Sequence, residues 1–202
     1  GGLEKRLKIF QELRKNNRVI FLDSGDFLSS RQGDADKNKK VIDKYNELKY
    51  DVIGLGDQEF LSGDEFVVDM IKNSNLPVII NNIQYCDSEM CRPISNPYII
   101  KQIEKYKIGI LSTLLKKCFS VFFPKKMIDN IKIIDTEEAL KPDIKILKEK
   151  NADLIILLSH CGLEEDIVLA NLKPFGRSRL YTTKQEQDLS NAVQNVNPEK
   201  DL

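Results

Sequence analysis

The sequence predicts an α/β domain in which helices and buried strands alternate. Apolar residues recur at helical spacing near the start of the chain, at Leu3, Leu7 and Phe10. Two continuous apolar runs, over residues 19–22 and 154–158, are typical of strands that are buried on both faces. Because segments of helical length separate such runs, the pattern indicates βαβ units and a mainly parallel sheet.

The remaining elements follow the same alternation. Apolar residues at helical spacing predict further helices around residues 41–48, 64–71 and 136–150, and from residue 163 onward. Short apolar runs predict strands at residues 51–56, 76–80, 98–101 and 107–111. The last two strands are expected to pair as a hairpin. Apolar periodicity then fades, so we expect one domain over residues 1–172 and a loosely ordered polar tail over residues 173–202.

The charge balance limits the kinds of partner. The 202 residues contain 31 Lys and Arg and 31 Asp and Glu, so the formal net charge is zero. A broad nucleic-acid surface would need a clustered basic excess, so no nucleic-acid partner is expected. The lysine-rich segments at residues 37–40 and 125–126 are interpreted as solvated surface. No apolar run reaches the ~18 residues of a membrane helix, so no membrane span is expected.

Two of the four cysteines, Cys86 and Cys91, lie close together in a polar segment. Two interpretations remain open for them. In the first, the two cysteines are free thiols in a loop. In the second, they form a small disulfide that closes the loop and would suit a secreted protein. We favour the disulfide. Cys118 and Cys161 are expected to act as small buried apolar side chains.

Three polar side chains follow the ends of predicted strands, namely Asp26, Asp57 and His160. Ligands of α/β sheets gather at the carboxyl ends of the strands, so the three side chains are expected to meet at one edge. Aspartate oxygens and an imidazole nitrogen are suitable ligands for Zn, Mn or Fe. Other interpretations remain open, because Asp is common in turns beside glycine and a histidine at a strand end can belong to the core.

Five segments resemble, in order and near the same spacing, motifs of the 5'-nucleotidase/apyrase family of metallophosphoesterases. They are Leu22-Asp-Ser-Gly-Asp26, Gly54-Leu-Gly-Asp-Gln-Glu-Phe-Leu-Ser-Gly63, residues 76–83, residues 107–111 and Leu158-Ser-His-Cys-Gly162. The first two resemble the family's Leu-Asp-Ala-Gly-Asp and Gly-Asn-His-Glu-Phe-Asp-Asn-Gly motifs. The resemblance covers roughly residues 1–172. It implies an α/β calcineurin-like metallophosphoesterase fold, a layered sheet with flanking helices, which we expect to be incomplete at both ends.

The resemblance implies roles for the three candidate ligands. Asp26 matches the aspartate that bridges two metal ions, and His160 matches a histidine ligand of the second ion. Asp57 stands where the family has a ligating asparagine. An aspartate can still ligate, so most of one metal site is present. We therefore expect at most one weakly bound divalent ion, such as Zn or Mn.

The groups that perform the chemistry in the family are replaced in this chain. The family's catalytic His-Asp pair falls at Gln58 and Leu61, so no catalytic residue is assigned. Glutamine can donate a hydrogen bond but has no useful pKa as an acid or base, and leucine can orient nothing. An Asp-x-His motif is expected before residue 1 and a Gly-His motif after about residue 175, and neither is found. Glu59 is interpreted as a structural group rather than a base.

The resemblance leaves three functions open. The first is a metal-dependent phosphohydrolase of extracellular nucleotides (ATP, ADP or AMP) or small phosphate esters, as in secreted apyrase-like proteins of blood-feeding arthropods. The replacements at Gln58 and Leu61 favour weak or no turnover, so activity as an enzyme stays open. The alternatives are a non-catalytic relative that binds a ligand or a host protein, and a fragment without independent function. The resemblance also implies secretion.

Overall fold

The computed structural model of the chain describes residues 2–16, 18–31, 33–119 and 123–171. The chain divides into two compact units, the first ending at His160 and the second beginning at Cys161. The predicted polar tail, residues 173–202, lies outside the described residues. The predicted division between residues 1–172 and the tail therefore stays a prediction.

Five helices occur in the described part of the chain, and each lies close to a helix that the apolar spacing predicts. They are α1 (Leu3–Asn16), α2 (Ala35–Leu48), α3 (Asp64–Asn73), α4 (Thr136–Glu149) and α5 (Leu163–Ala170), the last in the second unit. Helix α4 begins at a side-chain cap, because the Asp135 carboxylate accepts hydrogen bonds from the N–H groups of Glu137 and Glu138. Short 3₁₀ turns cover Gln58–Ser62, Lys116–Cys118 and Lys125–Met127.

Among the described residues, the strands of the first unit form three small sheets. In chain order the strands are β1 (Leu22–Asp23), β2 (Val52–Ile53), β3 (Ile83–Cys86), β4 (Cys91–Pro93), β5 (Tyr98–Ile103), β6 (Tyr106–Leu114), β7 (Ile131–Ile133) and β8 (Leu154–His160). Strands β1 and β2 pair in parallel. Strand β3 pairs antiparallel with β4 and β7. Strands β5 and β6 form the predicted hairpin, and β8 pairs in parallel with β6.

The expectation of a mainly parallel sheet is wrong. Three of the five strand pairs among the described residues are antiparallel, because β3, β4 and β7 form an antiparallel sheet that the apolar pattern did not predict. These strands have only three or four residues, too few to show a period. The strand predicted at residues 76–80 is a single bridge from Ile53 to Val78. Its second residue, Pro77, has no N–H group with which to extend a ladder.

The two sheets that carry the candidate ligands are linked by the segment at residues 77–81, which hydrogen-bonds to Ile53 of β2 and to Ser112 of β6, and they share a small apolar cluster. Val52 and Ile79 on one side form a buried cluster with Ile110 and Leu158 on the other. Because side chains alternate along a strand, Ile53 lies on the opposite face of β2, in the larger cluster that includes residues of α2 and α3. This arrangement places a helical layer outside the β1–β2 sheet.

Helix α4 covers the outer face of the β5–β6–β8 sheet. A Cβ atom at Gly109 of β6 would lie 2.8 Å from the Leu147 side chain, so the helix approaches the strand closely at this glycine. Leu140, Ile144 and Leu147 are almost fully buried, at 0–1% exposure. Their spacing is that of one helical face. The expected layered sheet with flanking helices is therefore confirmed.

Cys86 and Cys91 form a disulfide across the ends of β3 and β4, where the two residues face each other in the antiparallel ladder. The structure thus confirms the predicted disulfide over the pair of thiols. The bond closes a loop of four exposed residues, three of them polar.

Removing this disulfide is expected to lower the free energy of unfolding by about 2 kcal/mol, because the unfolded chain regains the entropy of a short closed loop. The measurement is urea denaturation of the double variant Cys86→Ser/Cys91→Ser. Dithiothreitol should lower the stability of the parent protein by the same amount and leave the variant unchanged. A parent protein whose stability is insensitive to the reductant would contradict the prediction.

Candidate metal centre

The three candidate ligands, Asp26, Asp57 and His160, lie together in the first unit. Their ligand atoms are all within 4.8 Å of one another. His160 Nε2 is 3.4 Å from Asp26 Oδ2 and 3.6 Å from Asp57 Oδ1. Between 23% and 28% of each side chain is exposed, so the cluster is open to solvent on one side. The residues that the sequence places at strand ends do meet.

A tight turn after β1 presents Asp26. Gly25 and Asp26 have positive φ angles of 106° and 59°, a region that glycine adopts freely and that aspartate adopts more often than most residues. Asp23 fixes the turn, because Oδ1 accepts a hydrogen bond from the Gly25 N–H and Oδ2 accepts one from the Tyr45 hydroxyl, both at 3.1 Å. A Cβ atom at Gly25 would lie 2.2 Å from the Gly56 nitrogen, so only glycine allows the two loops to approach.

Asp57 follows β2 through a glycine turn. A Cβ atom at Gly56 would lie 2.1 Å from Asp26 Oδ1 and 2.8 Å from His160 Cε1. Both distances are far shorter than a van der Waals contact. The lack of a side chain at Gly56 is therefore what allows the Asp26 carboxylate and the His160 imidazole to share one space. The sequence indicated a glycine turn here but gave no sign of this contact.

A buried carboxylate joins the two loops that carry the aspartates. Glu59 is fully buried, at 0% exposure. Its Oε1 accepts hydrogen bonds from the N–H groups of Phe27 and Leu28 at 2.8 and 3.1 Å, and its Oε2 accepts from those of Asp26 and Gly56 at 3.0 and 2.7 Å. Burial raises the pKa of Glu59, and the N–H donors oppose that rise. The structural role predicted for Glu59 fits these contacts.

The backbone of His160 is held at the end of β8. His160 pairs with Leu114 of β6 in the parallel ladder. Its carbonyl oxygen accepts hydrogen bonds from the Leu115 N–H at 3.4 Å and from the Cys118 thiol at 3.2 Å. These contacts tie the segment after β6 to the histidine. Cys118 is only partly buried, so the expectation of a buried side chain holds for Cys161 and not for Cys118.

The electrostatics of the cluster favour an ion pair when no metal is bound. Hydrogen bonds to Asp26 and Asp57 raise the pKa of His160 from 6.5 to about 10, against the effect of burial. Burial alone would raise the pKa of Asp26, but hydrogen bonds from His160 and Gln58 outweigh it and lower that pKa. A metal ion must therefore displace a proton from His160 in order to bind.

Gln58 and Leu61 lie on the turn Gln58–Ser62, directly after Asp57. The Gln58 side-chain Nε2 donates a hydrogen bond to Asp26 Oδ2 at 2.9 Å, and its backbone N–H donates to Asp26 Oδ1 at 3.1 Å. Gln58 therefore orients the Asp26 carboxylate. Leu61 is partly buried and offers no polar atom to orient a neighbour.

The geometry of the cluster fits one divalent ion. Ligands that each lie ~2.1 Å from a common ion are ~3.4 Å apart at tetrahedral angles. The distances from His160 Nε2 to the two carboxylates, 3.4 and 3.6 Å, are close to that value. The donor set of two carboxylate oxygens and one imidazole nitrogen suits Zn or Mn. Among the described residues this is the one group of three or more such side chains.

The single histidine of the chain makes the protonation of the centre directly measurable. In the untagged, metal-free protein, we expect the His160 Hε1 resonance to titrate with a midpoint near 10. Asp26→Asn should lower this midpoint, because it removes the first of the two charged acceptors. A midpoint near 6.5 in the folded parent protein, measured by proton NMR in EDTA, would contradict the prediction.

The same pKa fixes the sign of a pH effect on stability. A folded-state pKa above the unfolded value means that the His160 proton stabilises the metal-free fold fully below pH 6.5. This stabilisation declines as the pH rises from 6.5 through about 10. Metal affinity should change in the opposite direction, increasing with pH over the same window. Calorimetric titration with Zn at pH 6.5 and 8.0 measures that change.

Proteins of known function resemble most of this chain. The 5'-nucleotidase of Bos taurus is 30% identical over 176 residues, which cover 84% of this chain and 30% of that protein. A snake venom 5'-nucleotidase of Crotalus adamanteus is 30% identical over 172 residues, covering 82% of this chain and 29% of that protein. The chain thus spans less than a third of the length of these relatives. No protein-family model matches the chain.

Solved structures show the same fold. The NAD nucleotidase of Haemophilus influenzae aligns with a TM-score of 0.71 at 24% identity, covering 84% of this chain and 30% of that chain. The calcineurin-like phosphoesterase YfkN from Bacillus subtilis aligns with a TM-score of 0.66 at 24% identity, covering 81% of this chain and 55% of that chain. None of the helices in the described ranges has the length and apolarity needed to cross a bilayer. The chain belongs to the 5'-nucleotidase family, and its fold is that of a calcineurin-like metallophosphoesterase domain.

Proposed function

We propose that Asp26, Asp57 and His160 bind one divalent metal ion, Zn or Mn, and that the domain binds phosphate esters of the nucleotide class and hydrolyses them only slowly. The observation that carries this proposal is the convergence of three ligand atoms within 4.8 Å in a family whose members are metallophosphoesterases. When bound, the ion would supply a Lewis acid that polarises phosphoryl oxygens. Asp26 and Asp57 would also neutralise its charge.

One ion, rather than two, is supported by the supply of ligands. The chain has one histidine, and the described residues contain one suitable cluster. A two-metal centre needs ligands for a second ion about 4 Å from the first. Gln58 already occupies one lone pair of Asp26 Oδ2 through its amide hydrogen bond at 2.9 Å. With the Gln58 N–H on Oδ1 as well, one lone pair stays open on each oxygen of Asp26, so the supply of other ligands limits the number of ions.

Weak turnover is supported by the residues beside the cluster. A positioned acid or base contributes ~10²–10⁴-fold to a reaction rate. Gln58 cannot exchange a proton near neutral pH, and its amide is engaged with Asp26. Leu61 has no polar atom. The proposed metal ligands are therefore present, but Gln58 and Leu61 beside them cannot act as an acid or a base.

The second candidate is a non-catalytic, ligand-binding protein, and the Gln58 contact favours it. A residue that holds the Asp26 carboxylate contributes to the shape of the site rather than to bond breaking. A binding role predicts tight association with a phosphate ester and no product. A weak hydrolase predicts slow, metal-dependent release of phosphate.

We also propose that the protein acts outside the cell. The Cys86–Cys91 disulfide is of a kind that persists in oxidising compartments, and one of its relatives is a snake venom protein. Fractionation of the source tissue with an antibody against the chain tests this. Detection confined to the cytosol would contradict it.

Metal content and phosphate release test the main proposal together. The purified chain, first stripped with EDTA, should take up one equivalent of Mn or Zn by elemental analysis. His160→Ala and Asp26→Ala should lose it, and Asp36→Ala, an exposed acid on α2, should not. Phosphate release from AMP, ADP or ATP should stay far below the ~1–10³ s⁻¹ of ordinary enzymes. Two retained equivalents with ordinary rates, or no retained metal, would refute the proposal.

A further inference from the structure

Four exposed lysines lie in the segment that follows β6. They form two pairs, Lys116–Lys117 and Lys125–Lys126, each within a short 3₁₀ turn. No acidic residue occurs in the sequence from residue 115 to residue 128. Within the described ranges, no carboxylate lies within ion-pair distance of any of the four. In a chain of zero net charge, this is an uneven local excess of positive charge.

The first lysine pair borders the histidine of the metal centre. The residues on either side of the pair, Leu115 and Cys118, both contact the same atom, the carbonyl oxygen of His160, at 3.4 and 3.2 Å. The backbone of Lys116 and Lys117 is therefore held beside the end of β8. The side chains are free to extend from there into solvent.

The second lysine pair lies in a turn that contacts the segment directly after Asp57. The turn Lys125–Met127 packs against the turn Gln58–Ser62, which directly follows Asp57. An aromatic series holds this part in place. Phe119 contacts the fully buried Phe60 edge to face at 5.4 Å between ring centroids, and Phe123 contacts Phe119 at 4.9 Å. Each lysine pair thus lies in a segment that contacts an element next to one of the candidate ligands, His160 for the first pair and Asp57 for the second.

We propose that the two lysine pairs form a surface for the phosphate groups of a ligand at the metal centre, and that this surface favours chains of two or more phosphates over a single phosphate. The inference rests on the proposed function, which puts a phosphate ester at the same centre. A lysine ammonium is a mobile point charge that binds phosphate oxygens well. Two separate pairs are matched by an extended anion, whereas one phosphate group occupies only the centre itself.

Two other polyanions fit the observations less well. A nucleic acid requires a broad basic surface, and the net charge of zero and only four clustered lysines do not provide one. Binding to an anionic membrane is strengthened by exposed apolar side chains beside the lysines, which insert between the headgroups. Phe119 and Phe123 are instead packed against the main core cluster. A short phosphate chain therefore matches the size and position of the surface best.

The test is equilibrium binding of inorganic tripolyphosphate and of orthophosphate to the whole chain, in EDTA and at low salt. EDTA removes metal chelation by tripolyphosphate as a cause of binding. Tripolyphosphate should bind about tenfold more tightly than orthophosphate, and 0.5 M salt should abolish the difference. Lys116→Ala/Lys117→Ala and Lys125→Ala/Lys126→Ala should each weaken tripolyphosphate binding about fivefold. The matched control Lys39→Ala/Lys40→Ala, an exposed pair on α2, should change it less than twofold.

Three results would overturn the inference. They are equal affinity for the two anions, equal loss in the α2 control, and lysine-dependent binding of phosphatidylserine vesicles without binding of tripolyphosphate. The lysine variants should retain the metal content of the parent protein. A missing metal ion would therefore refute the proposed function alone, and loss of the lysine effect with the metal retained would refute this inference alone.

Discussion

Replacing Glu59 by glutamine is expected to lower the free energy of unfolding by about 2–5 kcal/mol, the cost of leaving two buried N–H donors without acceptors. The parent carboxylate accepts four backbone hydrogen bonds, two on each oxygen. A glutamine side chain keeps one of these oxygens. Its amide nitrogen, a donor, would face either the N–H groups of Phe27 and Leu28 or those of Asp26 and Gly56.

The consequence should extend to the metal centre, because Glu59 holds both loops that carry the aspartates. Urea denaturation measures the change in stability, and elemental analysis measures the metal that remains. Glu65→Gln, an exposed glutamate on α3, serves as the matched control and should stay within about 0.5 kcal/mol of the parent protein. If Glu59→Gln does not fold, Glu59→Asp keeps the charge and should show a smaller loss in the same direction. Stability of Glu59→Gln within 1 kcal/mol of the parent, on the scale of a typical net hydrogen bond, would refute the role of Glu59 in joining the two loops.

The long periodic elements could be predicted from the sequence because their signals are local. Helices such as α2 and α4 show several turns of apolar spacing, and the apolar run over residues 154–158 lies within β8. Strand direction could not be predicted in the same way. It depends on which distant segment supplies the partner, and β3 pairs with β7, almost fifty residues further along the chain.

In the candidate site, likewise, some residues could be predicted from the local sequence and others only from contacts that are distant in sequence. Asp26, Asp57 and His160 could be placed together because each follows the end of an apolar run. The role of Glu59 could be suspected only in outline, since three of its four hydrogen-bond donors lie more than thirty residues away. The contact between Gln58 and Asp26 spans 32 residues. Both contacts follow from how two loops meet, and no local pattern encodes that.

The shape of the site also depends on two glycines, because a side chain at either position would not fit. Gly25 and Gly56 belong to motifs that indicate turns, which explains the backbone but not the packing between the loops. The structure adds that each of the two glycines leaves room for an atom of the other loop. Substitutions at these positions are therefore expected to act on the site more than on the turn.

Gly56→Ala is expected to weaken metal binding by about 10–100-fold, a loss of the size seen when groups that orient metal ligands are removed. The added methyl group would lie 2.1 Å from Asp26 Oδ1 and 2.8 Å from His160 Cε1, so both side chains must move. Gly33→Ala is the control. That position has a positive φ angle, 82°, and no atom lies within 4 Å of the added Cβ, so the control should lose stability and keep the ion. Calorimetric titration of both variants with Zn measures their metal affinities. Parent-like affinity in Gly56→Ala would mean that the ion binds elsewhere than between Asp26 and His160.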